Sequence, residues 1–183
     1  MIYEFYRALN ILGVILIGAA LAAVQSVFLK VFTLSWLELD LILLVVAYVS
    51  STRSLLEGTV LVVVLSRIME THSAAPSGVL LASYLGTFLL IHVGREILLV
   101  SGGFSSLLIA LSAGVIWKAV FLLTSWHLDM ISNQWRSMLV FAVPSLLGIG
   151  LFTRPVFALL RKLDDVTKFD REAEGRSLAG DDF

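Results

Sequence analysis

Apolar positions along this chain fall in long runs broken by short polar segments. They show neither the alternation of half-buried strands nor the one-sided stripe of soluble helices. The first run, residues 8–29, holds 22 residues without a charge. A run of that length crosses the roughly 30 Å hydrocarbon layer of a bilayer as one helix. It is rich in small residues, and the pairs Ala19/Ala23 and Ala22/Ser26 let another helix approach closely. Residues 30–38 form a loop whose Trp36 suits the headgroup level. The next stretch, residues 39–69, is 31 residues long and interrupted by "SSTRSLLEG". It reads as two short spans, 39–51 and 54–69, hinged near Arg53 and accommodated by tilt or local bilayer thinning. A single helix there would give five spans in place of six. "THSAAPSG" then makes a turn, because Pro76 and Gly78 interrupt any helix arriving from before. Span four covers residues 79–100, "SGGFSS" turns, and span five covers 107–125. After a polar loop with interfacial Trp126 and Trp135, span six covers 137–160, with Pro144 as the expected site of a kink.

Composition agrees with this pattern. Hydrophobic residues make up 58% of the 183, charged residues 15%, and the mean hydropathy is +0.95. A soluble domain of this size cannot hide so much apolar surface. The reading is an all-α, polytopic transmembrane helix bundle over residues 1–160. Twelve of the last 23 residues are charged, so residues 161–183 read as a short exposed helix passing into a solvated tail. The first run exceeds the apolar core of a signal peptide and reads as a retained span. With six spans, Arg7, Arg53, Arg95 and the group Arg161, Lys162, Lys168 and Arg171 fall on one side. Lys30, Arg67 and Arg136 fall on the other. The positive-inside rule makes the first side cytoplasmic and places both termini there.

The formal charge of −1 and the lack of a basic cluster give no footing for nucleic acid. Cysteine is absent, which removes disulfides, thiolate metal sites and cysteine nucleophiles together. His72, His92 and His127 show no helical i, i+4 pairing, so no metal site is expected. No phosphate-cradling loop is present, and Gly103, Phe104 and Ser105 lack the second glycine of a nucleophile elbow. Nothing in the sequence points to an enzyme or a cofactor. The functional candidates are charges within or beside spans, which are costly to bury: Glu57, Arg67, Glu70, Arg95, Glu96 and Lys118. Lys118 lies mid-span between Trp117 and Ala119. It should face the bundle interior and meet an acidic partner, with Glu57 and Glu96 as candidates. Such a lysine either contacts a ligand or partner protein or completes a structural ion pair. Arg67 and Glu70, three apart, share a helix face as a local pair. Gln25 adds polar docking chemistry to span one.

Several of these features, in this order, resemble the bacterial rod shape-determining MreD family. "AVQSVFLK" carries the Gln25–Ser26 step that ends the first span in that family, and Asp40 in "LELDLILLVVAY" matches the acidic residue that opens the second. Arg53, Glu57 and Gly58 match the basic residue and Glu-Gly step before span three. Glu70 followed six positions later by Pro76-Ser77-Gly78 matches an acidic residue and Pro-x-Gly, although the family has Asp where this chain has Glu70. Pro155, Arg161 and Lys162 resemble the Pro-containing last span and its basic exit. The resemblance covers most of the chain. It implies a six-helix fold like that of the substrate-binding subunits of energy-coupling-factor transporters, and no reaction. It implies a place in the complex that directs lateral wall synthesis. There the partners are MreC, a single-span protein with an extracytoplasmic coiled coil, RodA, a class B penicillin-binding protein and MreB. Membrane lipid surrounds the spans.

A second reading is a substrate-binding subunit of an energy-coupling-factor vitamin transporter, kept open by "GAALAA" in span one and by Lys118, Glu57 and Glu70 as pocket groups. An ion-coupled carrier fits less well, since no internal repeat is visible and most carboxylates lie near span ends.

Overall fold

The structure, a computed structural model, describes residues 2–31, 40–73, 76–98, 104–127 and 140–167. Six helices account for nearly all of them: α1 (Ile2–Val31), α2 (Leu41–Thr52), α3 (Leu55–His72), α4 (Val79–Leu98), α5 (Ser105–His127) and α6 (Ala142–Val166). No strand occurs among the described residues.

The second helix decides the architecture. Its sequence, "LILLVVAYVSST", has no polar face, and a helix that is apolar all round has to be buried all round. Every residue from Leu41 to Ser51 is buried. Around it the other helices close a ring in the order α1, α3, α4, α5, α6 and back to α1, and α2 touches all five. At about 1.5 Å per residue its 12 residues are roughly 18 Å long, far short of the bilayer core. Tilt and thinning are therefore not needed to explain its length: α2 is the axis of the bundle, and the ring around it meets the surroundings. Asp40 starts the helix by accepting from the Leu43 amide at 3.0 Å. Arg53 ends it in extended backbone, its amide still reaching the Val49 carbonyl at 2.9 Å. The break at Arg53 makes two helices of residues 39–69, as the polar interruption predicts.

The chain reverses sharply after Arg53, and the close approach this needs comes from Gly58. A Cβ placed there would stand 2.5 Å from the Phe88 ring and 3.4 Å from Val49 Cγ1. Only glycine lets α3 settle between α2 and α4 at this distance.

Ring helices carry apolar side chains outward as well as inward: Leu12 and Leu16 on α1, Leu56 and Val60 on α3, Leu90 and Val93 on α4, Val115 and Leu123 on α5, Leu147 and Leu151 on α6. A soluble protein does not present an apolar belt on every side. Helices α1, α5 and α6 are each long and apolar enough to cross a membrane, while α2 and the apolar stretch of α4 are shorter. The fold is thus an all-helical bundle of the membrane type.

Two boundaries and the expected kink differ from those read in the sequence. Helix α1 begins at Ile2, ahead of the charge-free run that starts at Ala8. Helix α6 continues to Val166, so its last six residues lie in the segment expected to leave the bundle. Pro144 sits in the first turn of α6, where proline lacks no helical partner and imposes no kink. The proline inside the helix is Pro155, which removes a donor from the helix interior.

Candidate functional site

Both ends of α2 are closed by polar clusters, and a third polar joint ties α3 to α4. At the starting end, Asp40 caps α2 through one oxygen, and its other oxygen accepts from the Tyr84 hydroxyl of α4 at 2.6 Å. The side-chain oxygen of Gln25, late in α1, accepts from the Leu41 amide at 2.9 Å. Two orphan donors of the α2 N-terminus are thereby satisfied from two directions, which a buried helix end requires. Lys118 on α5 is buried at this end, and its positive charge acts favourably on Asp40. Trp117 beside it stacks on Phe121 with ring centres 5.2 Å apart and leans on Tyr84 at 6.1 Å.

Four helices contribute to the cluster at the finishing end of α2. Arg53 has no exposed side-chain surface and pairs directly with Asp164 near the end of α6. Its other guanidinium nitrogen lies 3.9 Å from Glu57 of α3, which also holds Arg7 of α1 at 3.3 Å. Asp164 further accepts from the Tyr48 hydroxyl at 2.5 Å and from Asn10 at 2.9 Å, and Asn10 reaches Thr167 at 2.5 Å. Among the described residues two guanidinium groups face two carboxylates, so their charges balance. That balance is the condition under which charges can be buried at all. His92 on α4 adds a further tie, its Nδ1 3.2 Å from the Ser50 carbonyl.

The joint between α3 and α4 is built on Glu70. One of its oxygens accepts from the Gly78 amide at 2.8 Å and the Leu81 amide at 3.4 Å, closing the N-terminus of α4. The other pairs with Arg67 at 2.8 Å. Gly78 stands at φ +91°, a conformation that penalises any side chain. Pro76 and Gly78 therefore form the tight return that brings the next helix onto the Glu70 carboxylate. Despite a desolvation penalty acting the other way, these amides and then Arg67 hold the Glu70 carboxyl below the ordinary carboxylate range.

These contacts sort the sequence candidates. Gln25, Asp40 and Lys118 come together at one end of α2, and Glu57 belongs to the other end with Arg53. The expectation of Glu57 as the Lys118 partner is thereby corrected. Lys118 lies in the second half of α5, level with the start of α2, whereas Glu57 opens α3 beside its finish. The side chain of Glu96, the other candidate, lies outside the described residues. Arg67 and Glu70 pair as predicted, with Arg67 more than half exposed. Ser26 turns back to bond the Ala22 carbonyl at 2.8 Å, and Ala22 is fully buried. The Ala22/Ser26 face of α1 therefore packs inside the bundle and does not face outward. Pro76 is exposed in the turn. The loops carrying Trp36 and Trp135 lie outside the described residues.

Asn10, Tyr48, Tyr84 and Asp164 were not legible as site residues. Asn10 and Tyr48 sit inside apolar runs, and Asp164 sits in a charged segment that reads as solvated. The available signal was an uncharged polar residue recurring in a span, which hydrocarbon tolerates only with a partner.

Comparison with family models, with curated proteins and with solved structures returned no match.

Proposed function

We propose that this chain is a non-enzymatic subunit of the bacterial cell-elongation complex, an MreD-like scaffold in the cytoplasmic membrane. It would bind an MreC-like single-span coiled-coil protein and help organise lateral peptidoglycan synthesis with RodA, a class B penicillin-binding protein and MreB. The carrying observation is the position of the residues behind the resemblance. Asp40 caps α2, Gln25 closes the same end, Arg53 and Glu57 tie its other end, Gly58 lets α3 approach, and Glu70 with Gly78 closes α4. Those residues are the joints of the bundle, as suits a family defined by a shared fold and by docking rather than by a reaction.

The chemistry agrees. Asp40, Glu57, Glu70 and Asp164 are each engaged by neighbours within the chain, which suits a framework more than proton exchange with a substrate. Arg7, Arg53, Arg95 and Arg161 share the finishing end of α2, which supports a cytoplasmic assignment for that end. Partner contacts would then be helix to helix, through the apolar outer faces of the ring.

The test is a mild-detergent pulldown from native membranes with mass spectrometry of co-purifying proteins. An MreC-like coiled-coil protein, with or without RodA, is the expected result. Paired ATPases with a transmembrane coupling protein would overturn it in favour of a vitamin-transporter subunit.

A further inference from the structure

On the flank of the ring, between the first turn of α5 and the middle of α6, lies a half-open cleft of ≈ 250 Å³. Arg154 and Arg161 line it with Ser106, and Phe104, Leu107 and Phe157 form apolar walls. The two arginines are seven residues apart on α6, which puts them on one helix face, two turns from each other. Both are exposed. Arg161 donates to the Ser106 hydroxyl at 2.9 Å.

Neither guanidinium makes an ion pair with a described carboxylate. Helix α6 carries two described carboxylates near them. Asp164 is taken by Arg53, Asn10 and Tyr48, and Asp165 is exposed on α6 without an ion pair. This contrasts with the cluster a turn away, where every guanidinium has its carboxylate. Two arginines with no ion pair among the described residues, side by side on the flank of a membrane bundle, offer a site for an anion. Planar guanidinium groups match phosphate oxygens in bidentate geometry. The dipole at the start of α5 adds in the same sense.

We propose that this cleft binds the phosphate of an anionic glycerophospholipid. Its position argues for a lipid rather than a soluble phosphate. The cleft sits at the arginine-rich end of the bundle, where headgroups lie. Below it the exposed side chains of Leu108 on α5 and Leu151 and Leu147 on α6 offer an apolar track for acyl chains. With no carboxylate among the described lining residues to receive a headgroup amine, the site favours a net negative headgroup over a zwitterionic one. Basic pockets between spans at this depth recognise such headgroups in general. The assignment does not depend on the partner proposed above.

Native mass spectrometry of the delipidated full chain in detergent, titrated with phosphatidylglycerol and separately with phosphatidylcholine, tests it. The expected result is one phosphatidylglycerol bound about tenfold more tightly than phosphatidylcholine. Arg154→Gln/Arg161→Gln should bring the two lipids to equal affinity, and Arg154→Lys/Arg161→Lys should keep part of the preference. Ser106→Ala removes the Arg161 bond but not the charge and should stay within about twofold of the parent. Arg154→Gln alone, which breaks no described hydrogen bond, gives the same reading should the double variant lose its helical circular dichroism. Equal affinity for both lipids in the parent chain would overturn the proposal, as would a preference that survives Arg154→Gln and the double change. Inorganic phosphate that binds alone and displaces the lipid at millimolar concentration would overturn the lipid assignment.

Discussion

Replacing Asp164 by alanine should unfold this bundle more readily than any surface change. The substitution strips Arg53, whose side chain has no exposure, of its direct partner. What remains is Glu57 at 3.9 Å, already shared with Arg7. Breaking a buried ion pair from one side costs about 3–5 kcal/mol, because the stranded charge stays buried. Asp164 is 13% exposed, so water softens the loss toward the lower figure. The Tyr48 hydroxyl and the Asn10 amide lose their acceptor too, at about 1 kcal/mol each, but these terms share one site and do not simply add. A net loss of about 3–5 kcal/mol corresponds to a fall in Tm of roughly 6–20 °C for a chain of this length. Tryptophan-fluorescence melting in mild detergent measures it. The control is Arg53→Met/Asp164→Ala: with both charges gone, the double variant should melt above Asp164→Ala alone. A chain cut after Leu160 should fare at least as badly as Asp164→Ala, since it loses Asp164 and Thr167 together. A Tm for Asp164→Ala within about 2 °C of the parent would refute the idea that this cluster fastens α6 to α2.

Glu70 should give the protein an acid-sensitive element. Its carboxyl is held below the ordinary range, so its stabilisation is complete at neutral pH and fades as pH falls through the folded value. The Tm gap between parent and Glu70→Gln should therefore narrow from pH 7 toward pH 4, and a gap that widens would contradict the capping geometry. Arg67→Ala, removing a half-exposed partner, should cost less than about 1 kcal/mol in the same melts. Gly58→Ala forces a methyl against Phe88 and should cost about 1–3 kcal/mol, with Phe88→Leu restoring part of it in the double variant. At the other end of α2, Asp40→Ala loses both the cap and the Tyr84 acceptor and should cost about 2 kcal/mol, whereas Asp40→Asn, itself a good cap, should cost less.

The six described helices were legible because runs of apolar residues and their polar breaks follow from bilayer thickness and backbone chemistry alone. The two-helix reading of residues 39–69 rested on "SSTRSLLEG", and the chain does turn at Arg53. What hydropathy could not express was the difference between a helix apolar because lipid surrounds it and one apolar because protein does. "LILLVVAYV" has the same content either way, and only its 12-residue length hinted that it sits at the axis. The site was legible in part for a related reason. Gln25, Asp40, Glu57, Glu70 and Lys118 stand out as polar groups against apolar neighbours, so they could be named. Their pairing could not, because it depends on which helix ends share a level. Asp164 was hidden by the opposite circumstance: in "RKLDDVTK" a charge is unremarkable, and only the continuation of α6 brings it against Arg53.

This division bears on how docking can be tested. Asp40, Arg53, Glu57, Glu70 and Asp164 hold helices to one another, so changing any of them perturbs a partner interaction through the fold whether or not a partner touches it. Loss of complex assembly in such variants would say little about contact. Residues that can separate the two effects are those on the outer faces, such as Leu12 and Leu16 on α1 or Leu56 and Val60 on α3, which the bundle itself does not bury. Leu16→Ala or Val60→Ala should leave the melting temperature near that of the parent, because little packing is lost. If either also leaves partner recovery unchanged, the ring face it lies on is lipid-facing. If recovery falls while the melt holds, that face is where another membrane helix rests.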